Sequence, residues 1–300
     1  VFNIIVYSTD SLSAGEAAAH CYRMIDTLNE IYSDYLPASE LNRLCARSGS
    51  KDWVNVSAPL FDILQVAYHA SEISGGRFDV TIGPLVRLWR RARKDRILPN
   101  KDSLRAAKRL VGYRKIQFDT IRRTIRLTKT GMQLDLGGIA QGETAQRVYE
   151  RLQAMGFPFS LVDAAGDIVA GGTPAGIDGW HVGVNMPQSE SLMNRQLCLS
   201  NKAVTTSGDM YQYVELAGKR YSHIINPRTG YALTQSRNVT VIAGKGVDAD
   251  WLTKACSMLP VSSALRLIKK FPSTEVQIAL LESGKPTFYR SSGFESYFKN

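Results

Sequence analysis

The residues Tyr221-Ser222-His223-Ile224-Ile225-Asn226-Pro227-Arg228-Thr229-Gly230 bring an imidazole, an amide, a guanidinium and hydroxyls to one short segment. Pro227 and Gly230 fix a turn there instead of filling a core. Upstream, Thr205-Thr206-Ser207-Gly208-Asp209 reads as a second small, polar turn. A hairpin of Tyr211–Leu216 and Lys219–Ile224 would bring the two turns together. The result would be a polar pocket with donors for phosphate and one group, His223, able to move a proton near neutral pH.

Four further segments carry chemistry-bearing residues. Asp135-Leu136-Gly137-Gly138-Ile139-Ala140-Gln141-Gly142 places paired glycines before a helix, where unpaired N–H groups and the positive dipole end favour phosphate. Asp163-Ala164-Ala165-Gly166-Asp167 is a tight turn between strands. Gly75-Gly76-Arg77-Phe78-Asp79 through Pro84 sets an aromatic and a carboxylate at a rim suited to a flat ring. In Asp248-Ala249-Asp250-Trp251-Leu252-Thr253-Lys254, Asp250 and Lys254 are four apart and share a helix face.

The elements that must position these residues follow from periodicity and caps. Val1–Tyr7 reads as a strand. A helix from Ser13 to about Tyr32 carries Cys21, Met24, Ile25, Leu28 and Ile31 on one face. Ser39 caps a short helix, and Pro59 to Ser74 forms a longer one closed by Gly75-Gly76. Phe78–Ile82 reads as extended, and Pro84 opens an Arg-rich helix. Ile116–Asp119 with Thr124–Thr128 looks like a hairpin, and a helix runs from Gly138 to about Met155. Strands are expected at Phe159–Val162, Ile168–Ala170, Trp180–Asn185, Gln196–Ser200, Val239–Ala243, Val276–Leu281 and Thr287–Arg290. Helices are expected at Asp248–Met258 and Ala264–Phe271. Helices concentrate in the N-terminal half and strands after residue 159, which predicts an α+β fold with a mainly antiparallel sheet. The chain reads as a single domain over 1–300 with a soft internal division near 100–130.

Bulk properties narrow the function classes. Of 300 residues, 44% are hydrophobic and 21% charged, the profile of a globular chain with an ample core. No apolar run is long enough for a membrane span. Val1 stands where an initiator Met would, as after removal of a leader or anchor. The four cysteines form neither a CxxC pair nor a zinc spacing. Net charge is +10. Much of the excess lies in Arg87, Arg90, Arg91, Arg93, Lys94 and Arg96, a run suited to an anionic surface or acidic partner. With no aromatic platform among these residues and no nucleic-acid motif, nucleic acid is not an expected partner.

Taken in order, the motifs resemble one family, the ApbE-type flavin transferases (FAD:protein FMN transferases). The resemblance runs from about Tyr35 to Leu259. Tyr35-Leu36-Pro37-Ala38-Ser39-Glu40-Leu41 matches the N-terminal signature. Gly75–Pro84, Asp135–Gly142, Ala165-Gly166-Asp167, Thr206-Ser207-Gly208 and Ser222–Gly230 follow in the family's order. It implies an ApbE-like fold of two subdomains with FAD bound. It further implies Mg²⁺-dependent transfer of FMN to a Thr or Ser hydroxyl of an acceptor protein, with release of AMP. His223 is then the base. Tyr35, Phe78, Asp79, Gly137, Gly138, Gln141, Gly166, Asp167, Thr206, Ser207, Arg228 and Thr229 would contact the dinucleotide. Ala140, Asp250 and Thr253 would be the metal ligands. The family usually works at the cell envelope, on the periplasmic side of the inner membrane, close to the membrane through an anchor.

Two positions depart from the family's pattern. Gln141 stands where Lys is usual. Lys254 stands four residues after Asp250, where the family has a metal-ligating Thr, and Thr253 comes one position early. An ammonium only donates and cannot ligate a hard cation. Lys254 is therefore expected beside Asp250 in place of Mg²⁺. This leaves an alternative, a relative that binds or hydrolyses FAD without transfer. A reading of another class is a basic, non-enzymatic adaptor using Arg87–Arg96.

Overall fold

The computed structural model describes residues 1–183, 195–208, 213–282 and 285–299. The expected positions Val184, Asn185, Asp209 and Tyr211 lie outside the described residues. The fold is α+β with antiparallel sheets, as the order of elements predicts. The chain divides into two units that exchange at 26–27, 138–139, 210–211 and 235–236.

The first unit comprises Val1–Asp26, Ile139–Met210 and Ser236–Asn300. Its frame is a seven-stranded sheet of β1 (Phe2–Val6), β5 (Ser160–Ala164), β6 (Asp167–Ala170), β9 (Lys202–Gly208), β12 (Arg237–Ala243), β13 (Glu275–Glu282) and β14 (Lys285–Arg290), in that order. Every neighbouring pair is antiparallel. A second ribbon pairs β7 (Trp180–Gly183) with β8 (Gln196–Leu199). Trp180, Val182, Leu197 and Leu199 of this ribbon pack with Leu161, Val204, Ile242, Phe294 and Phe298. The helices are most of α1 (Ser11–Tyr32), then α6 (Ala140–Ala154), α7 (Gly246–Ser257) and α8 (Val261–Ile268). Gly142 and Gly246 let α6 and α7 meet backbone to backbone. A Cβ on Gly142 would fall 2.3 Å from the Gly246 carbonyl oxygen, and one on Gly246 would fall 2.4 Å from that of Gly142.

The second unit comprises Thr27–Gly138 and Tyr211–Gln235. It holds α2 (Glu40–Ala46), α3 (Ala58–Ile73), α4 (Gly83–Asp95) and α5 (Lys101–Leu110). A three-stranded sheet has the order β2 (Val54–Asn55), β4 (Thr124–Leu127), β3 (Ile116–Asp119), and β10 (Tyr213–Leu216) pairs with β11 (Lys219–Ser222). Ser39 caps α2 and Ser57 caps α3, each accepting from a backbone amide in the first turn. The core joins Leu85, Trp89 and Ala92 of α4 to Leu104 and Ala107 of α5 and to Val214, Leu216 and Tyr221 of the hairpin.

Two local expectations are corrected, and one helix is added. Thr205–Gly208 is not a turn but the end of β9, a central strand between β6 and β12. The β-branched run Val204-Thr205-Thr206 outweighs the turn-like composition after it. Phe78–Ile82 is not extended throughout: Val80–Ile82 is a 3₁₀ turn, because the Asp79 carboxylate caps the Thr81 amide at 2.9 Å. The added helix is α5, which Asn100 caps and whose buried stripe is Leu104 and Ala107.

Candidate functional site

In the first unit the motif residues converge on one sheet face. Ala165 and Gly166 both have positive φ (56° and 102°), so the β5–β6 connection is a two-residue hairpin of the primed type. Its Gly166 amide donates to Asp163 Oδ1 at 2.8 Å. The turn delivers Asp167, opposite Thr205 on β9, whose hydroxyl donates to Asp167 Oδ1 at 2.6 Å. Strand side chains alternate, so Ser207 shares the Thr205 face while Thr206 points to the other, its hydroxyl 2.9 Å from that of Thr240. Ser207 Oγ is buried and has no hydrogen-bond partner among the described residues. Burial, then the neighbouring Asp250 carboxylate, push Asp167 up to about 7, against the pull of Lys254.

Asp250 on α7 is 1% exposed. Its Oδ2 accepts from the Gly142 amide at 3.2 Å, so it caps the first turn of α6 from a neighbouring helix. Its Oδ1 lies 3.3 Å from Lys254 Nζ. That contact is an ion pair rather than an aligned hydrogen bond, since Oδ1 has no partner of good hydrogen-bond geometry. Burial raises the Asp250 carboxyl, and Lys254 opposes the rise.

The fit of a divalent cation is read from these donors. Lys254 Nζ is 3.3 Å from both Asp250 Oδ1 and Thr253 Oγ1. Thr253 donates its hydroxyl proton to the Asp250 carbonyl at 2.7 Å, and the Ala140 carbonyl accepts from the Thr144 hydroxyl at 2.7 Å. Each ligand implied by the resemblance already has a protein donor or partner, and an ammonium lies against two of them. A hard cation needs several free oxygens around one point. The arrangement does not fit one.

In the second unit, Arg90 organises the glycine-pair segment. It pairs with Asp34 and with Asp135 (3.3 Å), and its guanidinium lies 4.1 Å from the centre of the Tyr35 ring. Asp135 in turn accepts from the Gly137 amide at 2.9 Å. Burial and the nearby Asp34 raise the Asp135 carboxyl. Tyr35 is 73% exposed, an open ring face, whereas Phe78 is buried. Asp79 gives its acceptors to the Thr81 amide and hydroxyl and to the Tyr113 amide, so its carboxylate holds the local fold.

The loop after β11 is tied by its own hydrogen bonds. Asn226 Oδ1 accepts from the Arg228 amide at 2.9 Å, the Gly230 amide donates to the Asn226 carbonyl at 2.8 Å, and Thr229 Oγ1 accepts from the Tyr231 amide. Trp89 Nε1 donates to the Gly230 carbonyl at 2.9 Å and fixes the loop to α4. Arg228 reaches the Gly75 carbonyl at 2.6 Å and stays exposed. Burial and the Arg228 guanidinium together lower the Arg77 guanidinium. Two guanidiniums near enough to repel suit a polyanion. No spacing in the sequence signals Arg77 as a site residue, because its nearness to Arg228 joins distant segments. His223 is half-buried at the start of this loop.

The structure thus gathers Gly166, Asp167, Ser207, Asp250, Thr253 and Lys254 in the first unit, with Ala140 and an exposed Gln141 opening α6. It gathers His223, Arg228 and Thr229 in the second, and it sets Tyr35, Gly137 and Gly138 around Arg90 and Asp135. Thr206 stands on the opposite strand face from Ser207, and Phe78 and Asp79 serve the interior.

Comparison with known proteins adds an independent line. The ApbE family model matches residues 1–278. A Klebsiella pneumoniae protein named FAD:protein FMN transferase is 34% identical over 203 residues, covering 67% of this chain and 62% of the relative. A Treponema pallidum protein of the same name is 32% identical over 256 residues, covering 79% of this chain and 69% of the relative. Among solved structures, the Vibrio cholerae flavin transferase ApbE superposes with a TM-score of 0.88 at 25% identity, over 99% of this chain and 95% of that one. The Thermotoga maritima ApbE protein gives 0.87 at 24% identity, over 100% and 96%, and supports the fold.

Proposed function

This chain belongs to the ApbE family, and we propose that it transfers FMN from FAD to a Thr or Ser hydroxyl of an acceptor protein, releasing AMP. The observation that carries the reading is the loop from His223 to Gly230, which holds a half-buried imidazole and the exposed Arg228 on a hydrogen-bonded frame, with Arg77 near enough for the two guanidiniums to repel. Phosphoryl transfer needs positioning and charge neutralisation more than covalent help from the protein. Arg77 and Arg228 meet the pyrophosphate. Tyr35 offers its ring to the flavin or adenine. His223 takes the acceptor hydroxyl proton as the oxygen attacks the FMN phosphorus. The bond from that phosphorus to the bridging oxygen breaks, and the bridging oxygen leaves with AMP.

The donors around Asp250 do not fit a metal, and the proposed reaction runs without one. The Lys254 ammonium supplies the fixed positive charge at Asp250 instead. One fixed charge is a weaker electrophile than a divalent ion shared between phosphate oxygens. That specific observation favours a second reading, FAD retention or slow hydrolysis to FMN and AMP. We propose the cell envelope as its place of work, a reading that fractionation of the native cells tests.

The deciding experiment incubates the protein with FAD and an acceptor carrying a Thr/Ser flavinylation site. Mass spectrometry of the acceptor and chromatography of the nucleotides are read together. An FMN adduct with stoichiometric AMP supports transfer. AMP and free FMN without adduct supports hydrolysis. No FAD binding at ~100 μM, weaker than about −5.5 kcal/mol, overturns both.

A further inference from the structure

The β7–β8 ribbon carries a second cluster of reactive groups that flavin chemistry leaves unused. His181 and Cys198 are Cα partners across the ribbon. Trp180 and Val182 on one strand and Leu197 and Leu199 on the other turn into the core. Strand alternation therefore sets His181 and Cys198 together on the outer face. Asp178 joins them, with Oδ1 3.1 Å from His181 Nε2. The carboxylate oxygen, imidazole nitrogen and thiol sulfur all lie within 4.8 Å of one another. Gly179 leaves the thiol its room, since a Cβ there would fall 2.4 Å from Cys198 Sγ. Lys299 closes the cluster. Its Nζ is 3.3 Å from His181 Nε2 and 3.7 Å from Asp178 Oδ2, and its backbone amide donates to the Gln196 carbonyl at 2.9 Å.

We propose that Asp178, His181 and Cys198 bind a zinc-class divalent cation, with the Lys299 ammonium as the resident competitor for the place. A mixed sulfur, nitrogen and oxygen set selects zinc-like ions over magnesium or calcium, which take oxygen. Ligand bonds of about 2.0–2.3 Å in a tetrahedron put donor atoms roughly 3.3–3.7 Å apart. The Asp–His pair is already near that spacing, and the thiol needs a shift of about 1 Å. Three protein ligands leave one position for water. On binding, the Cys198 thiol loses its proton to solvent and its sulfur bonds the ion. Lys299 swings out still charged. A plain ion-pair network would account for Asp178, His181 and Lys299 but not for a thiol partnered with them across a ribbon.

The test uses the untagged full chain, with Co²⁺ alone as an optical probe and Zn²⁺ alone as competitor. Cys21, Cys45 and Cys256 are buried, so a thiol reagent meets Cys198 first. The expected results are a near-ultraviolet thiolate-to-cobalt band, its displacement by Zn²⁺, and slower Cys198 labelling with Zn²⁺ present. Cys198→Ser abolishes the band, His181→Gln weakens Co²⁺ binding by about tenfold or more, and Lys299→Gln strengthens it. Circular dichroism confirms that each variant is folded. Absence of the band at millimolar Co²⁺, its survival in Cys198→Ser, or labelling unaffected by Zn²⁺ each overturns the proposal. FAD binding is unchanged in all three variants, which separates this site from the flavin reading.

Discussion

Lys254 Nζ stands 3.3 Å from Asp250 Oδ1, one helical turn along α7, and the carboxylate it faces is almost wholly buried. A charge taken out of water this completely must be paired or neutralised. Asp250 has two partners, the Gly142 amide and this ammonium.

Replacing Lys254 by Thr removes one of those partners. Without added metal the variant is expected to lose about 2–4 kcal/mol, because a buried carboxylate is left with a single donor. Mg²⁺ should then restore part of the loss, since the new hydroxyl and the freed Oδ1 offer oxygen where the ammonium stood. Chemical denaturation with Mg²⁺ or with chelator reads both effects. A parent protein that itself gains stability in Mg²⁺ and loses it to chelator would show that Lys254 turns aside for a metal.

His223→Ala addresses the proton. A general base acts mainly in the transition state, so turnover should fall about 10²–10⁴-fold while FAD affinity changes little. Single-turnover AMP release and flavin fluorescence titration separate the two quantities. Unchanged turnover would make His223 a structural member of the loop.

Gly142→Ala tests how α6 meets α7. Helix propensity alone favours Ala over Gly by about 1 kcal/mol. The new Cβ would lie 2.3 Å from the Gly246 carbonyl oxygen and 2.8 Å from Asp250 Cβ. Backbone cannot yield as a flexible side chain does, so a net loss of about 2 kcal/mol or more is expected. Urea denaturation measures it. Gly246→Ala should cost a similar amount, and the double variant less than the sum, because the separation that one methyl forces also makes room for the other. A gain in stability from either single change would mean that the helices are free to separate.

What the sequence disclosed follows from the range of each interaction. Ser39 as a cap, the stripe on α1 and the Asp250–Lys254 pair are local, set by helix geometry within a few residues. The hairpin of β10 and β11 was legible because its strands are adjacent in sequence. Gly142 ends a motif whose glycines signal close approach but not what approaches; at Gly142 the approaching group is a helix backbone. Thr205 beside Asp167, and Arg77 beside Arg228, depend on contacts between distant segments, and no spacing in the chain encodes them. Phe78 and Asp79 looked like a ring-binding rim, yet Asp79 meets its hydrogen-bonding needs with Thr81 and Tyr113.

Asp167 gives the pH dependence. Its carboxyl is raised from 3.8 to about 7, first by burial and then by Asp250. Between those values the folded chain holds a proton that the unfolded chain has released. Stability therefore falls as pH rises from about 4 to about 7 and is level beyond it. Asp167→Asn keeps the shape and removes the charge. Below pH ~4 the variant should match the parent or be slightly weaker, because the Thr205 hydroxyl then donates to a neutral group in both. Above pH ~7 it should be more stable by on the order of 1–3 kcal/mol, less than the full shift implies because Lys254 loses part of its attraction. Urea denaturation of both proteins across this range gives the difference directly. A difference independent of pH would place the Asp167 proton equilibrium outside the range, and a variant weaker than the parent at pH 8 would mean that the charged carboxylate is the form the fold requires.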